Sequence, residues 1–321
     1  MKNFLKKLSL FLILFIVING IINHIYEKDS NEAIENKTHK NYLKWSDIHN
    51  NQNTYDLVVI GASRAYTAFD PKVLDTNLNL QSYNMGTSAQ DIAESYYTLK
   101  EILKYQKPKY VVLDLFFPSS DDTHDYYQIF SNASFFKTND IKYDLVTKGY
   151  GASGIINYAV PVIKFKNYLK QDINGLFSSN NEIEKKSVWY KGFLHDTTTI
   201  TNKGLKKLTP ISNYQNTTFN KDRFELFFNK IKTLSEENDI MLITLRTPYP
   251  PSRLALNTVD DEADFFTEYM QSLSIPFFDL NTYKKKKYQY EDFDFSDYHH
   301  PNYRGAKKAS LQLSEAIEES K

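Results

Sequence analysis

Five short apolar runs, set between stretches of helical periodicity, constrain this chain more than any other feature. Tyr55-Asp56-Leu57-Val58-Val59-Ile60 ends at Gly61, and Gln81-Ser82-Tyr83-Asn84-Met85 ends at Gly86. Lys109 to Leu115, Ile240 to Leu245 and Pro276 to Leu280 follow the same plan. Runs this short and this largely apolar suit strands buried on both faces, with Gln81 to Met85, which carries Gln, Ser and Asn, the weaker one. Between them, Ile92, Tyr96, Leu99 and Leu103 recur at helical spacing, and so do Phe224, Phe227, Phe228, Ile231 and Leu234. Further helices are expected near 259–273 and from about Tyr303, the last carrying Ala306, Ala309, Leu313 and Ile317 on one face. Ser88 with Asp91 three residues on reads as a helix start. Strand alternating with helix predicts an α/β fold, a doubly wound parallel five-stranded sheet covered by helices on both faces. Residues 119–220 break the rhythm with Ser, Asn, Gly and Tyr clusters and read as an inserted cap region.

In such sheets, ligands sit beyond the carboxyl ends of the strands. Three polar groups fall there. Ser63 follows the first strand in Gly61-Ala62-Ser63-Arg64, where a helix start offers free N–H groups and a favourable dipole. By itself it reads as a capping serine. Asp297-Tyr298-His299-His300-Pro301-Asn302 precedes the last helix, at the same sheet edge. An Asp three residues before a His can hold Nδ1 and leave Nε2 to take a serine proton, so the spacing selects His300 over His299. Alone, this too reads as a turn that caps a helix. Taken together, the two groups form a candidate catalytic set of Ser63, Asp297 and His300. Gly86, in Asn84-Met85-Gly86, is a candidate oxyanion donor through its N–H, beside that of Ser63. Arg64 and Arg246, both at the carboxyl edge, are candidates for holding an anionic part of a substrate, with a structural ion pair as the competing reading.

The N-terminus bears on the compartment. Lys2, Lys6 and Lys7 precede an apolar run from Leu8 to Ile22. With Phe4-Leu5 and the residues to Tyr26, it reaches the ~17–25 residues needed to cross a bilayer. The flanking lysines keep the N-terminus inside and the remainder outside. Asn19-Gly20-Ile21-Ile22-Asn23 offers no small-x-small cleavage site, which favours an uncleaved anchor over a signal peptide. The expected layout is an anchor over 1–26, a polar spacer over 27–54 and one catalytic domain over 55–321 containing the 119–220 insertion. There is no cysteine and the formal net charge is zero. The first excludes disulfides, thiolate metal sites and a Cys nucleophile. The second gives no basic field for nucleic acid.

The blocks Gly61-Ala62-Ser63, Asn84-Met85-Gly86 and Asp297-Tyr298-His299-His300, in this order, resemble the SGNH (GDSL-type) hydrolase superfamily. The resemblance covers roughly 55–118 and 221–319. It implies a flavodoxin-like three-layer fold, a Ser-His-Asp triad, ester chemistry and no cofactor or metal. Ala62 stands where the family has Asp. No Gly-x-Asn block follows the third strand, where Leu113-Asp114-Leu115-Phe116-Phe117-Pro118 stands instead, so the usual oxyanion Asn is unassigned. Anchor, Gly-x-Ser-Arg and missing Asn together look closest to the membrane-anchored branch similar to DltD, the teichoic-acid D-alanylation protein, and to alginate-acetylation proteins. That branch implies an acylated glycan or cell-envelope polymer as substrate and a membrane-bound O-acyltransferase as partner.

Other readings compete. An α/β-hydrolase elbow needs Gly-x-Ser-x-Gly, and Ala65 breaks it. A catalytically inactive SGNH-fold scaffold that partners a membrane-bound O-acyltransferase fits the missing Asn but not the intact Ser, Asp and His. Asp121, Asp122, His124 and Asp125 lack metal-ligand spacing and read as a solvated loop. His195 and Asp196 read as a surface turn. Lys284 to Lys287 read as a solvated charge run able to attract an anionic polymer.

Overall fold

A computed structural model describes residues 1–35, 39–116, 124–166, 169–170, 188–209, 219–257 and 260–321. Chain order begins with helix α1 (Lys2–Glu35), helix α2 (Lys40–Asn50) and strand β1 (Leu57–Ile60). Next come α3 (Ser63–Ala68), α4 (Pro71–Leu78), β2 (Ser82–Asn84), α5 (Ile92–Ile102) and β3 (Tyr110–Asp114). The middle of the chain supplies α6 (Tyr126–Ala133), α7 (Asn139–Asp144), α8 (Tyr150–Ala159), α9 (Pro161–Lys164) and the hairpin β4 (Val188–Tyr190) and β5 (Phe193–His195). The C-terminal part carries α10 (Lys221–Glu236), β6 (Met241–Arg246), α11 (Asp261–Ser272), β7 (Phe277–Asp279) and α12 (Tyr303–Glu319).

Five of these strands form one parallel sheet in the order β2-β1-β3-β6-β7. Adjacent strand residues face opposite sides, as the two-residue period requires. Val58, Ile60, Val111 and Leu113 join α5, α10 and α11 in one core. Leu57, Val59, Val112, Ile243 and Leu245 join α3, α4 and α12 in the other. Both faces are therefore covered, and the inner strand β1, Leu57–Ile60, is apolar and buried throughout for that reason. Order reverses between β1 and β3, the point at which sheets of this kind place their ligands.

Local starts follow their caps. Asp70 caps α4 with Pro71 in its first turn, and Asn302 caps α12 by accepting from the N–H groups of Arg304 and Gly305. Helix α5 begins at Ile92 with Asp91 as its cap, so the Ser88 start expected from the sequence is displaced by three residues. Asp91 wins because its carboxylate accepts from the Glu94 N–H at 2.8 Å.

Helix α1 continues unbroken to Glu35. Within the expected spacer, α2 packs into the first core through Trp45 and Ile48, which are fully enclosed. Trp45 Nε1 donates to Asn132 Oδ1 at 2.8 Å. The inserted region packs onto the sheet as well. The Asn84 N–H donates to the Lys191 carbonyl at 3.0 Å, extending the β2 edge. The neighbouring Gly192 has φ +79, and a Cβ there would lie 1.8 Å from the Asn84 carbonyl oxygen.

Candidate active site

Ser63 is the first residue of α3, immediately after the turn that leaves β1. That turn is tight. A Cβ on Gly61 would lie 2.9 Å from the Asp114 Cβ and 3.0 Å from that of Ala65. Gly86 closes the other side, where a Cβ would meet the Ala62 carbonyl oxygen and the Tyr66 nitrogen, each at 3.1 Å. The Thr87 N–H donates to the Gly61 carbonyl at 3.0 Å, tying the β2 exit to the serine turn. Two glycines thus let two chain segments meet around one hydroxyl.

His300 arrives from the loop before α12. The loop is pinned by an antiparallel bridge between Phe295 and Pro301 and by the Ser296 N–H donating to the His300 carbonyl at 2.9 Å. Asn302 fastens its far end by donating to the carbonyls of Thr198 and Phe293 at 2.9 and 2.7 Å. Gly305 is required beside it, since a Cβ would lie 2.4 Å from the Asp294 carbonyl oxygen.

The three groups meet in one chain of hydrogen bonds. His300 Nε2 lies 2.7 Å from Ser63 Oγ, and His300 Nδ1 lies 2.7 Å from Asp297 Oδ2. Asp297 Oδ1 accepts from the N–H groups of His299 and His300, both at 2.9 Å. Partial burial opposes ionisation of Asp297. The hydrogen bond and charge of His300, with the His299 N–H, outweigh it and hold the carboxyl well below the usual range. His299 is pushed down to about 3 by burial first and by His300 second, so it stays neutral. The ligand atoms of Asp297, His299 and His300 lie within 4.8 Å of one another. A metal there would have to take an imidazole nitrogen already committed to Ser63 or Asp297.

Three candidate contacts come out differently. The Gly86 N–H donates to Asn84 Oδ1 at 3.1 Å, so it is not a free oxyanion donor. Arg64 is 2% exposed and turns inward, donating to Thr247 Oγ1, the Thr247 carbonyl and the Tyr249 hydroxyl. Its guanidinium carbon stacks 4.0 Å from the Tyr249 ring centre. Arg246 is fully enclosed and spent on the carboxylates of Asp260, at 2.6 Å, and Asp279, at 2.9 Å. A guanidinium presents its donors in a fixed fork, and in both arginines Nε, Nη1 and Nη2 each donate to a protein acceptor. Arg64 instead locks the serine turn to the exit of β6.

Other partners lay hidden in the sequence. Asn84 donates to the carbonyls of Ala65 and Phe69, both at 2.9 Å, and clasps α3 from below. Lys44, enclosed in the expected spacer, donates to the Gly86 carbonyl. Burial, then the charge of Lys40, lowers its pKa well below the ordinary lysine value. Lys40 donates to Ser88 Oγ at 2.6 Å. No local pattern marks Lys44 for burial or Lys40 for this contact.

The remaining candidates are structural or peripheral. Asp121 and Asp122 lie outside the described residues. His124 pairs with Asp91 at 3.1 Å and Asp125 caps α6. The His195 ring sits 5.5 Å from that of Tyr303, and Asp196 accepts from the Thr198 N–H at 2.8 Å. Lys284 and Lys287 pair with Glu315 of α12. Lys285 and Lys286 line a cavity of about 980 Å³ together with Tyr249, Leu254 and Tyr288, and none of Ser63, Asp297 and His300 lines it.

No family model matches the sequence, and no characterised protein matches it. Solved structures similar to it include a lipolytic protein of the G-D-S-L family from Desulfitobacterium hafniense DCB-2, with TM-score 0.41 and 12% identity over 81% of this chain and 98% of that one. A GDSL-like lipase from Bacteroides thetaiotaomicron VPI-5482 gives 0.37 and 13% over 83% and 88%. An acylhydrolase from Bacteroides fragilis NCTC 9343 gives 0.39 and 13% over 82% and 86%. These likenesses are distant, and the functional reading rests on the side-chain geometry.

Proposed function

We propose that the chain is a membrane-anchored extracytoplasmic serine esterase or O-acyltransferase of the SGNH type. The observation that carries this reading is the relay Asp297–His300–Ser63, with both links at 2.7 Å. Asp297 fixes the imidazole so that Nδ1 is the donor and Nε2 is free to accept. Ser63 Oγ attacks an ester carbonyl carbon as its proton passes to His300 Nε2. The tetrahedral intermediate collapses, the C–O bond to the leaving alcohol breaks, and His300 returns the proton to that oxygen. Water, or a sugar hydroxyl in a transferase, then attacks the acyl-serine by the same steps in reverse. The Ser63 N–H, at the start of α3, is the oxyanion donor that the fold offers directly.

The anchor part of the reading rests on α1, whose Lys2–Tyr26 segment has a mean hydropathy of 2.3 over its most apolar window and is long enough to cross a membrane. A signal sequence would pass the same test. With the lysines inside, the triad works outside, on acyl groups of a cell-surface glycan or polymer, beside a membrane-bound O-acyltransferase.

A second reading has one observation in its favour. The Gly86 N–H is committed to Asn84, and no Gly-x-Asn block follows β3, so the oxyanion site is short of donors. A catalytically inactive scaffold on the same fold would tolerate that. Acetate release from acetylated glycans by the full chain in lipid vesicles, with and without Ser63→Ala, separates the two. Release that depends on Ser63 supports the enzyme. Equal background release from both proteins supports the scaffold.

A further inference from the structure

We propose that α8 and α9 form a second membrane-seated element, a short apolar hairpin that enters the outer leaflet beside α1 and docks the catalytic domain on the bilayer. The proposal rests on α1 being a membrane anchor and goes beyond it by assigning lipid contact to the exposed side chains of α8, Ile155, Ile156 and Tyr158.

The first observation is polarity turned inside out. From Gly149 to Ile163 the chain carries no charge. Ile155, Ile156 and Tyr158 stand about half exposed, at 48%, 49% and 49%. Asn157, between them, is tucked in and donates to the Ser153 carbonyl at 2.9 Å. A helix in water hides its isoleucines and shows its asparagine. The reverse arrangement suits hydrocarbon, which takes the exposed isoleucines and leaves Asn157 inside the protein, where its Nδ2 is satisfied and its Oδ1 has no partner among the described residues.

The second observation is continuity with α1. Along the apolar part of α1 the buried residues are Asn19 and Ile22. Asn19 Oδ1 accepts the N–H of Val162 at 3.0 Å, and its Nδ2 donates to the Phe15 carbonyl at 2.8 Å. Val162 belongs to the first turn of α9, whose N–H groups have no partner within the helix. An asparagine inside an otherwise apolar span is thereby explained, because it satisfies that donor where no water can. Higher up, the Tyr26 ring stacks on Phe165 with centres 4.9 Å apart.

Depth agrees with both. Asn19 lies twelve positions beyond Lys7, about 18 Å along a helix rising ~1.5 Å per residue. Against a hydrocarbon core of ~30 Å, that sets Asn19 and the first turn of α9 within the outer half of the bilayer. Tyr26, about 10 Å further along the helix axis, falls near the outer interface, where tyrosines concentrate. Lys164 and Lys166 follow the apolar stretch at that level, placed to reach lipid headgroups. The hairpin is also joined rigidly to the catalytic domain. Tyr150, at the head of α8, donates to Asp91 at 2.8 Å, and Arg223 of α10 holds the same carboxylate at 3.2 Å. Docking at α8 and α9 therefore fixes the height of the Ser63 crevice above the membrane.

The native chain has no cysteine, so single labels can be introduced without background. Full-length Ile156→Cys, Leu12→Cys and Glu236→Cys proteins, each carrying an environment-sensitive fluorophore, are reconstituted in phosphatidylcholine–phosphatidylglycerol vesicles. Quenching is measured with aqueous iodide and with acyl-chain nitroxide lipids. The Ile156 label is expected to follow the Leu12 label, quenched by nitroxide and several-fold less by iodide than the Glu236 label. An iodide-accessible Ile156 label beside a lipid-buried Leu12 label overturns the hairpin and leaves the anchor standing. An Ile156 label shielded from both quenchers also overturns it, because a protein then covers the patch. A Leu12 label open to iodide overturns anchor and hairpin together.

Discussion

Replacing Asp297 with Asn tests the relay at its most informative link. Asp297 Oδ1 accepts two backbone N–H groups at 2.9 Å, and Oδ2 faces His300 Nδ1 at 2.7 Å. In Asp297→Asn the amide oxygen must keep the two N–H donors, since an NH₂ there would face two hydrogens. The NH₂ therefore turns to Nδ1, which becomes the acceptor, and the ring proton moves to Nε2. A protonated Nε2 cannot take the Ser63 proton. The loop keeps its backbone bonds, so folding is little changed. Loss of the correct tautomer in a serine triad costs ~10⁴-fold in kcat, about 5.5 kcal/mol at ~1.36 kcal/mol per decade. The assay is steady-state hydrolysis of a p-nitrophenyl ester by full-length protein, with urea unfolding as the folding control. Activity within about tenfold of the parent, in a variant of unchanged stability, would refute the tautomer argument.

Three further perturbations follow from the packing. Arg64→Lys keeps the charge but loses the fork that spans Thr247 and Tyr249. It should cost ~2 kcal/mol in urea unfolding and lower kcat with little change in KM, whereas a KM effect alone would return Arg64 to substrate binding. Burial, opposed by Arg64 and the Thr247 N–H, pushes the Asp114 carboxyl up to about 6. Its folded pKa exceeds an unfolded value of ~3.9, so its contribution is fullest below pH ~4 and is lost as pH rises to ~6, about 3 kcal/mol in all. Asp114→Asn should remove that slope from the urea midpoint measured between pH 4 and 8, and parallel curves would contradict it. Gly192→Ala places a Cβ 1.8 Å from the Asn84 carbonyl oxygen at φ +79. It should cost at least ~2 kcal/mol in urea unfolding and loosen the hairpin from the β2 edge.

The sheet was legible because both its faces are covered. Val58 and Val59 point to different cores, and each must be apolar. Ser63, Asp297 and His300 were legible because all three sit where strands or loops deliver side chains to one edge, and a three-residue spacing brings a carboxylate to its own imidazole. Helix α2 was not legible, because its burial depends on partners distant in sequence. Lys44 finds the Gly86 carbonyl and Trp45 finds Asn132, so a polar-looking stretch is core. For Arg64 and Arg246 the sequence left substrate binding and a structural ion pair both open, for a related reason. The carboxyl edge of a sheet is where substrates bind and also where later loops return acids and hydroxyls. Asp260 and Asp279 reach Arg246 from α11 and β7, and nothing in the sequence near Arg246 announces them. The Gly86 N–H was lost to Asn84, two residues upstream, by a side-chain turn that the Asn-x-Gly spacing permits but does not require.

The central claim is that His300 makes Ser63 nucleophilic. Labelling of folded full-length protein with a fluorophosphonate probe, with the modified peptide identified by mass spectrometry, tests it most directly. Modification at Ser63, absent in Ser63→Ala and strongly slowed in His300→Ala, is the predicted result. A folded protein whose Ser63 stays unmodified, or is modified as fast without His300, would contradict it.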